Sequence, residues 1–377
     1  MKTILIISFS NLLTDPRVHR QIRFLAPHYR VIACGFGDPE VENVEFIPLT
    51  EAQSRLPSLI SALQLLLHRY EDWYWKQEPV VETLKKLSPI HADLILANDV
   101  DTLPLALHLS KGAKVLLDAH EYAPREADDL LVWKIFFQKY KVYMCSHYIP
   151  KVDGMTAVCQ TIAETYEKDT GIRPRVITNA PDFEEIEPCK MDSQRTIIRL
   201  IHHGGAAASR KTENMIKMMD HLDERFELNL MLVSAEPKYM RHLKRLSARK
   251  PNIHFLPPQP MRALSKYLNQ FDIGIYILEP TNFNNRYALP NKFFEFIQAR
   301  LAVAIGPSPE MARIVNEHDL GVVSSDFSPQ ALAHSLKDLD REKINHYKWQ
   351  SHKVAQRMSA DQNRKILLDL VRQVLGE

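Results

Sequence analysis

The chain has 377 residues, 45% hydrophobic and 25% charged, an ordinary balance for a globular protein long enough for two or three domains. A net charge of +2 gives no global reason to expect nucleic acid as a partner, and the basic run 239–250 reads as a solvated helix face. Four widely spaced cysteines (Cys34, Cys145, Cys159, Cys189) form no C-x-x-C or Cys/His signature for zinc, and they fit free thiols in a reducing cytoplasm. The apolar run after Met1-Lys2-Thr3 is too short for a signal-peptide core, and no run reaches the roughly 20 apolar residues that span a bilayer. The expected location is therefore the cytoplasm.

In chain order, residues 3–8 read as a first buried strand, apolar and β-branched without alternation. Asp15-Pro16 starts a helix with an acidic N-cap and proline at the first helical position, and the helix stops near Pro27. Further strands are expected at 29–33, 93–97 and 114–118, with helices between. The alternation restarts near 197. Strands at 197–202, 228–233, 253–256 and 273–277 alternate with helices at 212–222, 239–248 and 261–269. A helix opening at Pro290, a strand at 301–306 and a helix from Pro309 follow. Strand–helix alternation implies βαβ units and parallel sheets, here as two doubly wound α/β units in series. The acidic, proline-bearing stretch 179–196 reads as the linker between them. Neither half has a G-x-G-x-x-G fingerprint, which disfavours a nicotinamide site.

Ligands of such sheets bind beyond the carboxyl ends of the strands. That rule selects the loops 9–15, 98–104, 118–125, 203–211, 278–291 and 306–310. In 201–216 (IHHGGAAASRKTENMI), Gly204 and Gly205 permit close backbone approach, and Arg210 and Lys211 offer a fork and a point charge for phosphate. In 288–311 (ALPNKFFEFIQARLAVAIGPSPEM), Lys292 stands in the first turn of a helix, against the dipole. Lys292, Glu295 and Ala299 share one stripe, while Phe294, Ile297 and Leu301 form a core-facing one. A bound phosphate accounts for the lysine, since helix N-terminal amides also attract anions. Glu295, an acceptor-only carboxylate, suits the hydroxyls of a ribose. Together they read as a nucleoside-diphosphate site.

His120 and Glu121, in LLDAHEYAPRE (116–126), end a strand where an imidazole can accept a proton or orient a donor. Asp99-Val100-Asp101 has the spacing of a divalent-metal pair, but Asp101 followed by Thr, Leu and Pro reads as a helix start. The stretches 59–76 and 131–145 mix leucine, aromatic and basic residues. Buried helices are the default reading there, and peripheral attachment to a membrane is the alternative.

Taken together, ANDVDTLPLA, LLDAHEYAPRE, VDGMTAVCQTIAETY, VITNAPDF, HHGGAAASRK, LPNKFFEFIQARLAVAIG and SADQNRKILLDLVRQVL, in this order and spacing, resemble the retaining glycosyltransferases of family four. That resemblance covers essentially the whole chain. It implies a GT-B fold, two facing Rossmann-like domains with an interdomain cleft. Residues 1–182 would form an N-terminal acceptor domain, 183–196 a hinge and 197–358 a C-terminal donor domain. Residues 359–377 would form a helix crossing back to the first domain. The implied substrate is a UDP- or GDP-sugar, and the glycosyl group would pass with retained configuration to a glycan, lipid-linked or other hydroxyl acceptor. The setting would be surface polysaccharide or glycoconjugate synthesis at the inner face of the plasma membrane. No metal or other cofactor is implied, and no nucleic acid. His120 and Glu121 become the catalytic candidates. Gly204, Gly205, Arg210, Lys211, Tyr287, Asn291, Lys292 and Glu295 become the donor-binding candidates. Two departures stand out. The family's helix carries two glutamates eight positions apart, and the first falls on Tyr287. The usual glycine and proline after the helix are replaced by Arg300 and Ala302. A sugar-nucleotide epimerase on the same scaffold, or a non-catalytic transferase acting as a binding partner, are the alternatives.

Overall fold

A computed structural model of the protein describes residues 1–51, 59–192, 194–234 and 236–377. Ser193, inside the expected hinge 183–196, lies outside the described residues. The chain forms two compact units. The first comprises Met1–Thr178, Asn282–Asn284 and Asn363–Glu377, and the second comprises Asn179–Thr281 and Asn285–Gln362. Nothing in the sequence signals that residues 282–284 group with the first unit.

The first unit is built on strands β1 (Thr3–Asn11), β2 (Arg30–Phe36), β3 (Val44–Pro48), β4 (Leu94–Asn98), β5 (Lys114–Ala119), β6 (Gly154–Ala157) and β7 (Arg175–Val176). They form one sheet in the order β3-β2-β1-β4-β5-β6-β7, every pair parallel. Continuous burial along β4 and most of β1 and β5 explains the unbroken apolar runs, since a parallel strand is covered on both faces. Asp15 caps the helix Pro16–Leu25 by accepting from the amides of Arg17 and Val18. The terminal helix Ala360–Leu375 packs closely on β6. A side chain at Gly154 would meet the methyl carbons of Leu116 at 2.8 Å and of Leu370 at 3.2 Å.

The second unit has β8 (Ile198–Gly205), β9 (Phe226–Val233), β10 (Ile253–Phe255), β11 (Ile273–Tyr276), β12 (Ala302–Ile305) and β13 (Gly321–Val323), in the order β10-β9-β8-β11-β12-β13. All its pairs are parallel as well. Both sheets reverse strand order once, between β1 and β4 and between β8 and β11, and such switch points open a crevice at the carboxyl ends of their strands.

The helix Asn291–Gln298 departs from the two-stripe expectation. Phe293 and Phe296 are as buried as Phe294 and Ile297, and Lys292 is only 5% exposed. The helix is apolar nearly all round because it sits inside the unit rather than on its surface. It ends at Arg300, which takes the left-handed conformation (φ 59°) where the family pattern has glycine. Arg300 is fully buried, and its guanidinium donates to the carbonyls of Gln298 (2.5 Å) and Glu184 (2.6 Å). Those hydrogen bonds offset the backbone cost of a non-glycine residue there.

Candidate functional site

In the second unit the carboxyl ends of β8 and β11 bring His202, His203, Gly204, Gly205 and Tyr276 beside the first turn of the helix Asn291–Gln298. Gly204 has φ 105°, a conformation that strains any L side chain, although a β-carbon there would lie 3.5 Å from Lys292 Nζ without clashing. Gly205 faces Arg210 in the same way, its β-carbon position 3.7 Å from the guanidinium. The first glycine is needed for its backbone. Both keep the space in front of the two cations open.

Lys292 Nζ lies 4.2 Å from the centre of the Tyr276 ring and 3.4 Å from His202 Nε2. His202 Nδ1 is 3.0 Å from the Ile275 carbonyl, so it carries the proton, and Nε2 is left to accept from the lysine. No carboxylate forms an ion pair with Lys292 among the described residues. Burial, then the nearby Arg210 charge, pulls its ammonium down to about 7, against a weaker opposing effect of Glu295. Burial and the Lys292 charge likewise hold His202 far below the usual imidazole range and His203 at about 3, so both rings are neutral. His203 Nε2 is buried without a hydrogen bond, 3.4 Å from Glu295 Oε2. The helix N-terminus has no side-chain cap. The local field is therefore positive, enclosed by neutral rings and open on the glycine side.

The other donor candidates are placed differently. Lys211, also left-handed (φ 47°), is ion-paired with Glu279, which in addition accepts from Asn214 at 2.8 Å. It is thus committed to a carboxylate, unlike Arg210 at the exposed end of the turn Ala208–Arg210. Asn291 begins the helix. Tyr287 is half-buried in the preceding loop, with the Arg286 guanidinium 5.6 Å from its ring centre. The structure thus gathers Gly204, Gly205, Arg210, Lys292 and Glu295. It adds His202, His203 and Tyr276, to which sequence reasoning assigned no role. Their only signal was position, at strand ends where ligands bind.

In the first unit His120 follows β5. Its Nδ1 is 3.2 Å from Asp99 Oδ2, and its Nε2 is 3.2 Å from Asp118 Oδ2 and 3.1 Å from Asn98 Oδ1. Acceptors on both ring nitrogens require the doubly protonated ring. Burial alone would lower its pKa, but Asp99 and Asp118 outweigh this and raise it to about 9. Of the two capacities read from sequence, the geometry supports the orienting donor. Asp118 is buried and takes a two-point grip from Arg17 (Nε 2.7 Å, Nη2 2.5 Å) with further hydrogen bonds from Gln21 and Thr156. Despite its burial, Arg17 and His120 hold its carboxyl far below the usual range. Asp99 has φ 63° and ψ 159°, a region nearly reserved for glycine, and its Oδ1 accepts the His120 amide at 2.9 Å. Asp101 turns to Lys141 instead (2.7 Å), so the two carboxylates of the Asp-x-Asp pattern serve different partners. Among the described residues no group of three or more His, Cys, Asp or Glu could hold a metal ion. Glu121 stays open to solvent and accepts from Asn284 Nδ2 (3.2 Å); partial desolvation, then Glu126 and Asp99, raises its carboxyl.

No family profile and no curated protein matches the chain. Solved structures share its fold from end to end. Anabaena Alr3699/HepE in complex with UDP-glucose superposes with a TM-score of 0.71 at 13% identity, over 99% of this chain and 100% of that one. Sucrose-phosphate synthase (tll1590) from Thermosynechococcus elongatus gives 0.73 at 13% identity, over 100% of both chains. A glycosyltransferase from Rickettsia africae ESF-5 gives 0.65 at 14% identity, over 99% of this chain and 98% of that one. The fold is accordingly the GT-B type, two doubly wound parallel-sheet α/β domains.

Proposed function

We propose that this protein is a glycosyltransferase. The second unit binds a nucleoside-diphosphate sugar, and the glycosyl group passes to a hydroxyl of a glycan or lipid-linked acceptor. The observation that carries this reading is Lys292, a buried ammonium at the ends of β8 and β11 with no carboxylate ion pair among the described residues. A buried cation left without a counter-ion costs stability unless a ligand supplies one. The diphosphate of a nucleotide sugar is such a ligand, and Arg210 and the uncapped helix N-terminus add to its binding. The same groups would neutralise the negative charge that grows on the departing diphosphate. Glu295 would accept from the ribose hydroxyls, with His203 packed against its carboxylate. The Anabaena fold relative in complex with UDP-glucose supports a uridine nucleotide, and a GDP-sugar is the other candidate.

The remaining assignments follow the family resemblance. His120 would keep a fixed positive charge at the end of β5 and orient the sugar or acceptor, with Glu121 beside it. Transfer would retain configuration on the front face, with no covalent enzyme intermediate. Tyr287 would replace an acidic contact to the donor sugar. A lipid-linked acceptor would bring the protein to a membrane surface as a peripheral partner; among the described residues no helix is long and apolar enough to cross a membrane.

Thermal-shift titration with UDP-, GDP- and ADP-sugars tests the donor site, since a ligand that binds only the folded state raises Tm. One nucleotide sugar is expected to stabilise the protein, and Lys292→Ala to reduce the shift at a given ligand concentration. Stabilisation by none of them, or an equal shift in Lys292→Ala, would overturn the site. A nucleotide sugar that binds but yields only an epimer, or no product with any acceptor, would replace transfer with one of the alternatives.

A further inference from the structure

Two stretches of the first unit carry most of its exposed large apolar side chains. Ile60, Leu63 and Leu67 are 73%, 55% and 62% exposed, and Leu131, Val132 and Ile135 are 71%, 60% and 50% exposed. The helix Leu59–Leu66 packs against the π-helical turn Lys134–Gln138, so the two sets are neighbours. An aromatic seam fastens them from below. The Trp73 ring lies 6.0 Å from Phe137 and 4.8 Å from Tyr140, and Tyr70 lies 5.2 Å from Tyr143. Of the seam, Tyr70 and Tyr140 are buried, while Trp73, Phe137 and Tyr143 are half-buried, so the expectation of buried helices holds only in part. The outer row is left in solvent, and contiguous exposed apolar surface marks an interaction site.

Charge identifies the occupant. In a chain with 46 acidic residues, neither 59–70 nor 131–152 contains an aspartate or glutamate. Of their basic residues, Arg69 is paired with Asp72, and Lys141 is buried between Asp101 and Glu126. Lys134 and Lys139 remain exposed on the same helical run as Leu131 and Ile135. Apolar side chains projecting among lysines, with acids only at the margins of the two stretches (Glu71, Asp72, Glu126, Asp128 and Asp129), is the pattern of a surface that lies on anionic lipid. A symmetric contact with a second copy would instead set this basic, acid-poor patch against the same patch, positive field to positive field.

We propose that this face docks on an anionic phospholipid bilayer, with Leu131, Val132 and Ile135 among the headgroups and Lys134 and Lys139 against lipid phosphates. It names the surface for the membrane contact suggested by a lipid-linked acceptor, and its test is independent of the donor site.

Flotation of the full chain with phosphatidylcholine vesicles, with and without phosphatidylglycerol, tests it. Binding is expected only with phosphatidylglycerol and is expected to weaken as salt rises. Leu131→Glu with Ile135→Glu, and separately Lys134→Glu with Lys139→Glu, should each reduce vesicle binding about tenfold or more. The melting temperature and its shift by UDP-glucose should stay unchanged, which separates lost docking from lost folding or lost donor binding. No vesicle binding by the unmodified chain, or equal binding by both double variants, would overturn the proposal. A concentration-dependent dimer in solution, abolished by Leu131→Glu with Ile135→Glu, would assign the face to a second copy instead.

Discussion

Each unit of this protein buries a cation at the carboxyl ends of its strands, and the two are treated in opposite ways. His120 sits between Asp99 and Asp118, and its positive charge is held by carboxylates on both sides. Lys292 sits between a neutral histidine, a tyrosine ring and a second cation; among the described residues no carboxylate pairs with it, and Glu295 supports its charge only weakly. Burial pushes the pKa of both groups down. The partners decide the sign, pushing one group up and the other down. A compensated cation fixes structure, whereas one without a paired carboxylate is suited to an anionic ligand, and this contrast underlies the donor site proposed above.

The contrast can be broken from the compensated side first. Asp118→Ala leaves Arg17 and His120 buried without their shared carboxylate, and removing one partner of a buried pair typically costs about 3–5 kcal/mol. Urea denaturation of the variant should show a loss of that order. On the other side, Lys292→Ala should weaken UDP-glucose binding by about 1.5–3 kcal/mol, the range for hydrogen bonds to charged groups, without loss of folding stability. Calorimetric titration alongside melting would show whether the lysine serves the ligand or the fold.

Two pH effects should run on opposite logic. His120 has its folded pKa raised to about 9, so its contribution to stability is complete below about 6.5 and is lost as pH rises through about 9. Relative to His120→Gln, the unmodified protein should lose stability across that window. Lys292 falls to about 7 in the free protein, and a bound diphosphate would raise it again. Affinity for UDP-glucose, whose diphosphate does not titrate there, should be flat below about 7 and fall by up to about tenfold per pH unit above it. Lys292→Arg should remove that slope. The smallest expected effect is at Gly204. Gly204→Ala adds no clash at φ 105° but strains the backbone by about 1–3 kcal/mol, so part of that should appear as lower stability in chemical denaturation.

Much of the fold was legible because parallel strands covered on both faces are unbroken apolar runs, as in β1, β4, β8 and β11. β6 and β7, of four and two residues, were too short to show a pattern, and β3 and β13 lie at the edge of their sheets. In the proposed donor site Lys292 drew attention because it broke the helix-dipole rule, and Glu295 because of its spacing to Lys292. His202, His203 and Tyr276 broke no rule and were silent. The Arg17–Asp118 pair joins residues 101 positions apart, a distance that no local pattern spans. Lys211 was grouped in sequence with Arg210 as its less certain neighbour, and only the fold shows that it pairs with Glu279.

One small residue governs how Lys292 and Glu295 of the proposed donor site are aimed. A side chain at Gly274, in the middle of β11, would run into the Phe296 ring at 2.3 Å. Phe296 is the next residue after Glu295 on the helix that also carries Lys292. The bare backbone of β11 thus acts as a depth stop, setting how far the helix sinks onto the sheet and how it is rotated about its axis. A methyl group at 274 would lift both functional side chains at once, with no change to either of them. Sensitivity to substitution in this protein should therefore extend to a residue that no ligand needs to touch.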